Sequence, residues 1–274
     1  MPSIIPTVTL HNGVEVPVLS IGTYKVQDLD GVIGAALDAG FTAIDAAEHY
    51  GNEAAVGEAI SRLRLPRSKL YLSTKIWNTD HGYRRTLEAF EESAARLRTR
   101  PDMLLIHWPC PMKGLYQETW SALQHLYAQG QVAAIGVSNF TSAHLRTLEA
   151  MGGVQPMVNQ VEMHPFYIDE QLLEYCREHH IIVEAWSPLL RGTAVISHPV
   201  IRTMAEKYQC SPAQLAVRYL TQYGVRVIIR SSNPAHIAEN ADIFRLTITD
   251  DDFESLKELN THKRYFQDPD EYYL

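Results

Sequence analysis

VLSIGTYKVQDLDGVIGAALDAGFTAID, residues 18–45, holds an apolar run, an amphipathic segment and a second apolar run. Val18 to Ile21 and Thr42 to Ile44 read as strands buried on both faces, since neither needs to alternate polar with apolar side chains. Between them Leu29, Val32, Ile33, Ala36 and Leu37 fall on the i, i+3, i+4, i+7, i+8 stripe of a helix, and Gly40 stands where a C-cap is wanted. Such alternation is the signature of stacked strand–helix–strand units.

The alternation continues outward to about residue 240, with further strand runs at Leu70 to Ser73, Met103 to Ile106, Val132 to Val137, Met157 to Val161, Ile181 to Ala185 and Val225 to Ile229. Eight runs are the number that closes a parallel barrel, so the expected fold is α/β, a (β/α)8 TIM barrel forming one domain over 1–274. Tyr83, Leu87, Phe90, Ala94 and Leu97 repeat the helical stripe, and Ser211-Pro212-Ala213-Gln214 spells a capping box with proline at the first helical position. Two extra helices are expected, about His198 to Tyr208 and Asp250 to Asn260. At the start, Thr7 to Leu10 and Val14 to Val16 flank His11-Asn12-Gly13, which predicts an N-terminal β-hairpin with an Asn-Gly turn, plugging the N-terminal end of the barrel. Lys263 to Leu274 has no period and reads as a loop over the body.

Against 24 Lys and Arg stand 32 Asp and Glu, and the formal charge of -8 argues against nucleic acid or an anionic membrane as partner. Cys110, Cys176 and Cys210 are odd in number without C-x-x-C spacing, which fits neither a disulfide framework nor a zinc knuckle and points to a reducing, cytoplasmic setting. Met1 to Leu10 lacks the form of a signal peptide, and no apolar run reaches the length of about 18 residues that a membrane span needs. The expectation is a monomer acting on a small molecule.

In a parallel barrel, function sits at the C-terminal ends of the strands. Just past the eight runs come Gly22-Thr23, Asp45, Thr74-Lys75, His107, Ser138-Asn139, Gln160 with Glu162, Trp186-Ser187 and Arg230-Ser231-Ser232. An Asp, a Lys and a His at three successive ends converge on one mouth, and Tyr50 can lean over the same point. A phenol has a reference pKa of about 10, and an ammonium beside it favours the phenolate, so Lys75 is expected to lower the pKa of Tyr50 towards proton transfer. Asp45 would hold Lys75, and His107 would orient a carbonyl that Tyr50 protonates as hydride arrives. A Schiff-base aldolase on Lys75 and a cofactor-sensing module remain alternatives to a reductase; retention of all four residue types favours the reductase.

Asp45-Ala46-Ala47-Glu48-His49-Tyr50-Gly51-Asn52-Glu53, Thr74-Lys75-Ile76-Trp77, Leu105-Ile106-His107-Trp108-Pro109, Gly136-Val137-Ser138-Asn139-Phe140, Asn159-Gln160-Val161-Glu162, Trp186-Ser187-Pro188-Leu189 and Ser231 with Glu239-Asn240 together resemble the aldo-keto reductase family. The resemblance covers nearly the whole chain. It implies a tetrad of Asp45, Tyr50, Lys75 and His107, an extended NADP(H) without a Rossmann fold, and reversible reduction of aldehydes and ketones such as keto sugars and dicarbonyls. The segment Cys110 to Leu115 and the overall length resemble the bacterial 2,5-diketo-D-gluconate reductase branch.

No G-x-G-x-x-G follows a strand. Instead, Arg230-Ser231-Ser232-Asn233-Pro234 leads into a helix with Asn233 as N-cap and Pro234 at N1, a place where free backbone N–H groups attract anions and where Arg230 adds a forked donor. Read alone, the segment favours an ordinary capped helix beside an exposed arginine. The resemblance implies that it binds the adenosine 2′-phosphate, with Ser231, His236, Glu239 and Asn240 at family positions. By the same resemblance Ser138, Asn139 and Gln160 meet the nicotinamide carboxamide, Trp186 stacks where the family has tyrosine, and Gly22, Thr23, Asp45, Ser187, Leu189 and Ser232 complete the cofactor set. Arg230 stands for a family lysine, and Ala46 for a common threonine. His236 stands for a frequent arginine, and an imidazole with the ordinary pKa near 6.5 is mostly neutral at pH 7.5, so a weaker preference for NADPH over NADH than the family norm is expected, with relaxed use of NAD(H), and that preference should sharpen as pH falls below about 6.5.

Tyr24, Trp77 and Trp108 are expected to wall the substrate pocket with Tyr50 and His107, His49 at its rim, and the tail with Tyr265, Phe266, Tyr272 and Tyr273 to close over it. His179-His180 should end a helix, where a cation is welcome. His164-Pro165 reads as a loop feature, nothing marks Cys110 as a nucleophile, and no His-x-His follows the first strand, so no metal is expected.

Overall fold

The computed structural model describes residues 3–63, 65–192 and 194–272. An antiparallel pair, β1 (Thr7–Thr9) and β2 (Glu15–Pro17), precedes eight parallel strands: β3 (Leu19–Gly22), β4 (Ala43–Asp45), β5 (Tyr71–Ile76), β6 (Met103–Ile106), β7 (Ala134–Ser138), β8 (Val158–Glu162), β9 (Ile182–Trp186) and β10 (Arg226–Ile229). They close in the order β3 to β10, with β10 returning to pair with β3 in the register Val227 to Leu19, Ile228 to Ser20 and Ile229 to Ile21. Each expected run corresponds to one strand. The largest difference lies in β5, expected to end at Ser73, which continues through Thr74, Lys75 and Ile76 because their backbones pair in register with Leu104, Leu105 and Ile106 of β6.

Helices wrap the barrel, and Gly40, Ser211 and Asn233 cap them as expected. Leu29–Ala39 starts on Asp28, whose Oδ1 accepts from the Gly31 N–H at 2.9 Å, and stops at Gly40, whose φ of 104° suits a residue without Cβ. Pro212–Gln222 starts on the capping box, where Ser211 Oγ accepts from Gln214 N and Gln214 Oε1 accepts from Ser211 N. The extra helices are present as Ala194–Ser197 with Pro199–Lys207, and as Asp250–Lys257. Glu170–Glu178 ends on His179, whose Nδ1 lies 2.8 Å from the Tyr175 carbonyl oxygen. Apolar side chains such as Leu19, Leu72, Leu104, Ile135, Val158 and Val227 are buried in the sheet, and Phe41, Phe90 and Trp120 among the helices around it.

The hairpin turns at His11-Asn12-Gly13 as expected: Leu10 N–H bonds to Val14 O, Gly13 N–H to Leu10 O, and Gly13 takes φ 86°. The Asn12 side chain accepts from Val14 N and donates to Ala133 O. With His11 at 3.2 Å from Gln155 O, these contacts fix the hairpin beside the starts of β7 and β8, at the N-terminal end of the barrel as expected. No helix among the described residues is long and apolar enough to cross a membrane, and no group of three or more His, Cys, Asp or Glu there could hold a metal ion.

Candidate active site

Asp45 closes β4, Lys75 lies near the end of β5, and His107 follows β6, so three neighbouring strands deliver three side chains to one end of the barrel. Tyr50 ends a short 3-10 turn, Glu48–Tyr50, that Gly51 terminates in the left-handed conformation. Lys75 is fully buried, and its Nζ lies 2.7 and 2.8 Å from the two carboxylate oxygens of Asp45, 2.9 Å from Ala46 O and 3.3 Å from Tyr50 OH. Burial pulls Lys75 toward the neutral amine, but Asp45 and Tyr50 outweigh it and hold its pKa above the ordinary lysine value.

The expected effect of Lys75 on Tyr50 is present but does not win. Burial pushes the phenol up, Lys75 pulls it down and Asp45 pushes it up again, leaving a pKa of about 12. The net shift is opposite to the one inferred from charge alone, because burial is not visible in a motif. Tyr50 therefore keeps its phenolic proton across neutral pH. His107 is held neutral: burial lowers its pKa well below the ordinary value, and Lys75, His49 and His81 lower it further.

Around this centre the expected aromatic wall assembles. His49 stacks on Trp77 with centroids 3.7 Å apart, Trp77 meets His107 edge-on at 5.0 Å, and Tyr24 lies 5.0 Å from Tyr50. Tyr272 of the tail joins Trp108 at 4.4 Å and Trp77 at 6.4 Å, and Phe266 packs against Trp186 at 4.9 Å. Tyr265 is exposed, and Tyr273 lies outside the described residues.

The residues expected at the cofactor line the same mouth from β3 around to β10. Gly22 is required by packing, since a Cβ there would stand 2.8 Å from Ile228 Cγ2 on the neighbouring strand. Thr23, Ser138 and Asn139 spend their polar groups within the protein. Thr23 Oγ1 donates to Asp45 O at 2.9 Å, Ser138 Oγ to Gln160 O at 2.9 Å, and Asn139 Nδ2 to His107 O at 2.9 Å. Trp186 Nε1 donates to Asn139 Oδ1 at 2.9 Å, which fixes the indole; Ser187 (φ 57°) and Leu189 follow it, both half-buried.

After β10, Asn233 caps helix Pro234–Ala241 through Oδ1, and Ser231 Oγ accepts from Asn233 N. Arg230 is exposed and makes no ion pair among the described residues; Ser232 and His236 are exposed beside it, and Glu239 is half-buried. Asn240 is buried, donating to His236 O while its Oδ1 finds no partner. An unpaired guanidinium at a helix N-terminus, an orphaned amide oxygen behind it and an indole fixed at the strand ends suit a phosphorylated dinucleotide, so the residues present fit NADP(H).

Four supporting residues have roles that the sequence reading did not assign. Glu162 at the end of β8 accepts from the backbone N–H groups of Tyr265 (2.6 Å) and Phe266 (3.3 Å), with His164 Nε2 at 3.1 Å, so His164 is more than a loop feature. Glu184 and Arg226 form an ion pair at 2.8 Å inside the barrel, both nearly inaccessible. Their signal was a charge within an apolar run, where a partner is obligatory.

Residues 22–261 match the model of the aldo/keto reductase family. Glyoxal reductase of Bacillus subtilis is 42% identical over 97% of this chain and 96% of its own length. An aldo-keto reductase from a Medee basin deep-sea metagenome library superposes with a TM-score of 0.93 at 37% identity, covering 97% of this chain and 99% of that one. The Bombyx mori aldo-keto reductase in complex with NADP gives 0.88 at 30% identity, covering 96% and 95%. The chain belongs to the aldo/keto reductase family, and with it to the NADP(H)-dependent oxidoreductases that reduce aldehyde and ketone carbonyls.

Proposed function

We propose that Tyr50 is the general acid of this reductase, that Lys75 and Asp45 set its charge environment, and that small dicarbonyls and keto sugars are its substrates. The observation that carries the reading is the Lys75 ammonium held by both oxygens of Asp45 and by Tyr50 OH beneath an aromatic pocket. NADPH, when bound, supplies the hydride. As the carbonyl carbon accepts it, negative charge grows on the oxygen, and Tyr50 O–H transfers its proton there; the phenolate that remains is stabilised by Lys75 until water reprotonates it. Neutral His107 offers a hydrogen bond to the carbonyl without adding a second cation beside Lys75. The wall of Tyr24, His49, Trp77, Trp108 and Tyr272 excludes water and suits a compact carbonyl compound.

Glyoxal reduction by the Bacillus subtilis relative supports the dicarbonyl class, and the Cys110 to Leu115 segment supports the 2,5-diketo-D-gluconate reductase branch within it. Arg230, Ser231, Ser232, His236, Glu239 and Asn240 form the phosphate end of the proposed cofactor site, Ser138, Asn139, Gln160, Trp186, Ser187 and Leu189 the nicotinamide end, with Gly22, Thr23 and Asp45 between.

The test is NADPH oxidation with glyoxal, a keto sugar and simple aldehydes. Tyr50→Phe is expected to bind NADPH as before and to lose turnover by roughly two to four orders of magnitude; turnover near the unaltered level would falsify the acid assignment. Replacing His236 with arginine should raise the NADPH-to-NADH ratio of kcat/KM by roughly tenfold, the worth of one charge-assisted phosphate contact. An unchanged ratio removes His236 from the phosphate site.

A further inference from the structure

Glu184 takes no part in the proposed chemistry, yet it is a buried carboxylate one residue away from it. Gln160 of β8 is in register with Glu184 of β9, and Glu184 with Arg226 of β10, so three buried polar side chains stand side by side on neighbouring strands. Gln160 Nε2 donates to Asp45 Oδ1 at 3.1 Å and to Glu184 Oε2 at 2.8 Å. Glu184 Oε1 stands 2.8 Å from Arg226 Nη1, and Arg226 Nε donates to Pro17 O at 2.7 Å, at the hairpin plug. A line of polar contacts thus runs from Tyr50 OH through Lys75, Asp45, Gln160, Glu184 and Arg226 to the opposite end of the barrel.

The amide of Gln160 cannot be turned over in this setting. Both of its N–H protons are taken, one by each carboxylate, and a flip would set Oε1 against two carboxylate oxygens. Its Oε1 receives no hydrogen bond among the described residues. We propose that Glu184, held by Arg226, is a positioning residue that locks Gln160 with only its acceptor oxygen free, so that the site selects a nicotinamide bearing an N–H donor on its carbonyl substituent. This rests on the reading of Gln160 as a cofactor contact. Asp45 alone would hold the amide at a single point about which it can pivot, whereas the second acceptor at Glu184 fixes the amide plane and with it the direction of Oε1. Arg226 supplies the countercharge that keeps the carboxylate in the barrel.

Two paired variants isolate the acceptor at position 184 without leaving a buried charge alone. Glu184→Met with Arg226→Met replaces the ion pair by apolar side chains, a change that buried pairs often tolerate. Glu184→Gln with Arg226→Met keeps an amide oxygen able to accept from Gln160. Dissociation constants are read by tryptophan fluorescence quenching for NADP+ and for its 3-acetylpyridine analogue, in which a methyl group replaces the carboxamide NH2, on proteins whose melting curves show them folded. The unaltered protein and the Gln/Met pair should prefer NADP+ by roughly three- to tenfold, the worth of one hydrogen bond, and the Met/Met pair should lose that preference. Equal preference in the two folded pairs overturns the role of Glu184. If the preference survives Gln160→Leu, Gln160 does not read the carboxamide, and the cofactor reading of that residue fails first.

Discussion

Tyr50 carries two opposing influences whose balance sets its pH behaviour. Lys75 at 3.3 Å favours the phenolate, while burial and Asp45 favour the neutral phenol, and the phenol prevails with a pKa of about 12. Carbonyl reduction needs the protonated form, so that capacity is complete below this pKa and is lost as pH rises through it; alcohol oxidation needs the phenolate and follows the opposite course. A kcat/KM profile for reduction should therefore stay level from neutral pH well into alkali, whereas an alkaline limb at or below the free-phenol value of about 10 would contradict the buried-acid description. The sequence made the partners of Tyr50 legible, because Asp, Lys and His stand at successive strand ends. It could not reveal the net shift, which depends on how much solvent the fold removes.

At the scale of elements, apolar runs located all eight barrel strands, and cap residues located the helices. The extension of β5 past Ser73 was hidden because Thr74 and Lys75 look like loop residues until β6 pairs with them. The tail was legible as an aromatic loop over the pocket; what holds it is a backbone contact with Glu162, to which sequence periodicity is blind. Glu162→Gln keeps the shape but puts an NH2 group against one of the two tail N–H groups. The expected result is a rise of roughly three- to tenfold in KM for the carbonyl substrate, about the worth of one hydrogen bond. Faster tryptic cleavage at Lys263 or Arg264 should accompany it, with little change in melting temperature. Unaltered KM and unaltered cleavage together would separate the tail from the pocket.

For the molecule as a whole, His81 should contribute to acid sensitivity beside the buried His107. Its ring is buried, with neither nitrogen hydrogen-bonded among the described residues, and burial followed by the Lys113 charge lowers its pKa to about 4, against a smaller opposing effect of Asp80. The unfolded chain takes up a proton near the ordinary histidine value of about 6.5, and the folded chain does not until about 4. Stability is thus greatest above 6.5 and declines as pH falls toward 4, by on the order of 3 kcal/mol for this group. His81→Phe removes the proton-binding site without leaving a new unpaired partner, so its melting temperature should fall less than that of the unaltered protein between pH 7.5 and pH 5. Parallel decline of the two proteins would assign acid sensitivity elsewhere.

The contact between Arg226 and Pro17 has a consequence for the growing chain. Their residues are 209 positions apart, and β10 must reach β3 before the barrel closes. All four proposed tetrad residues leave the ribosome within the first 107 positions, yet Gln160, Glu184 and Arg226, which steady Asp45 from within, follow much later. Contacts so distant along the chain are slow to form and reward folding only once the intervening loop is closed. A nascent fragment can therefore contain every reacting group and still have no working site, and competence arrives almost in a single step, when the last strand is translated and docks.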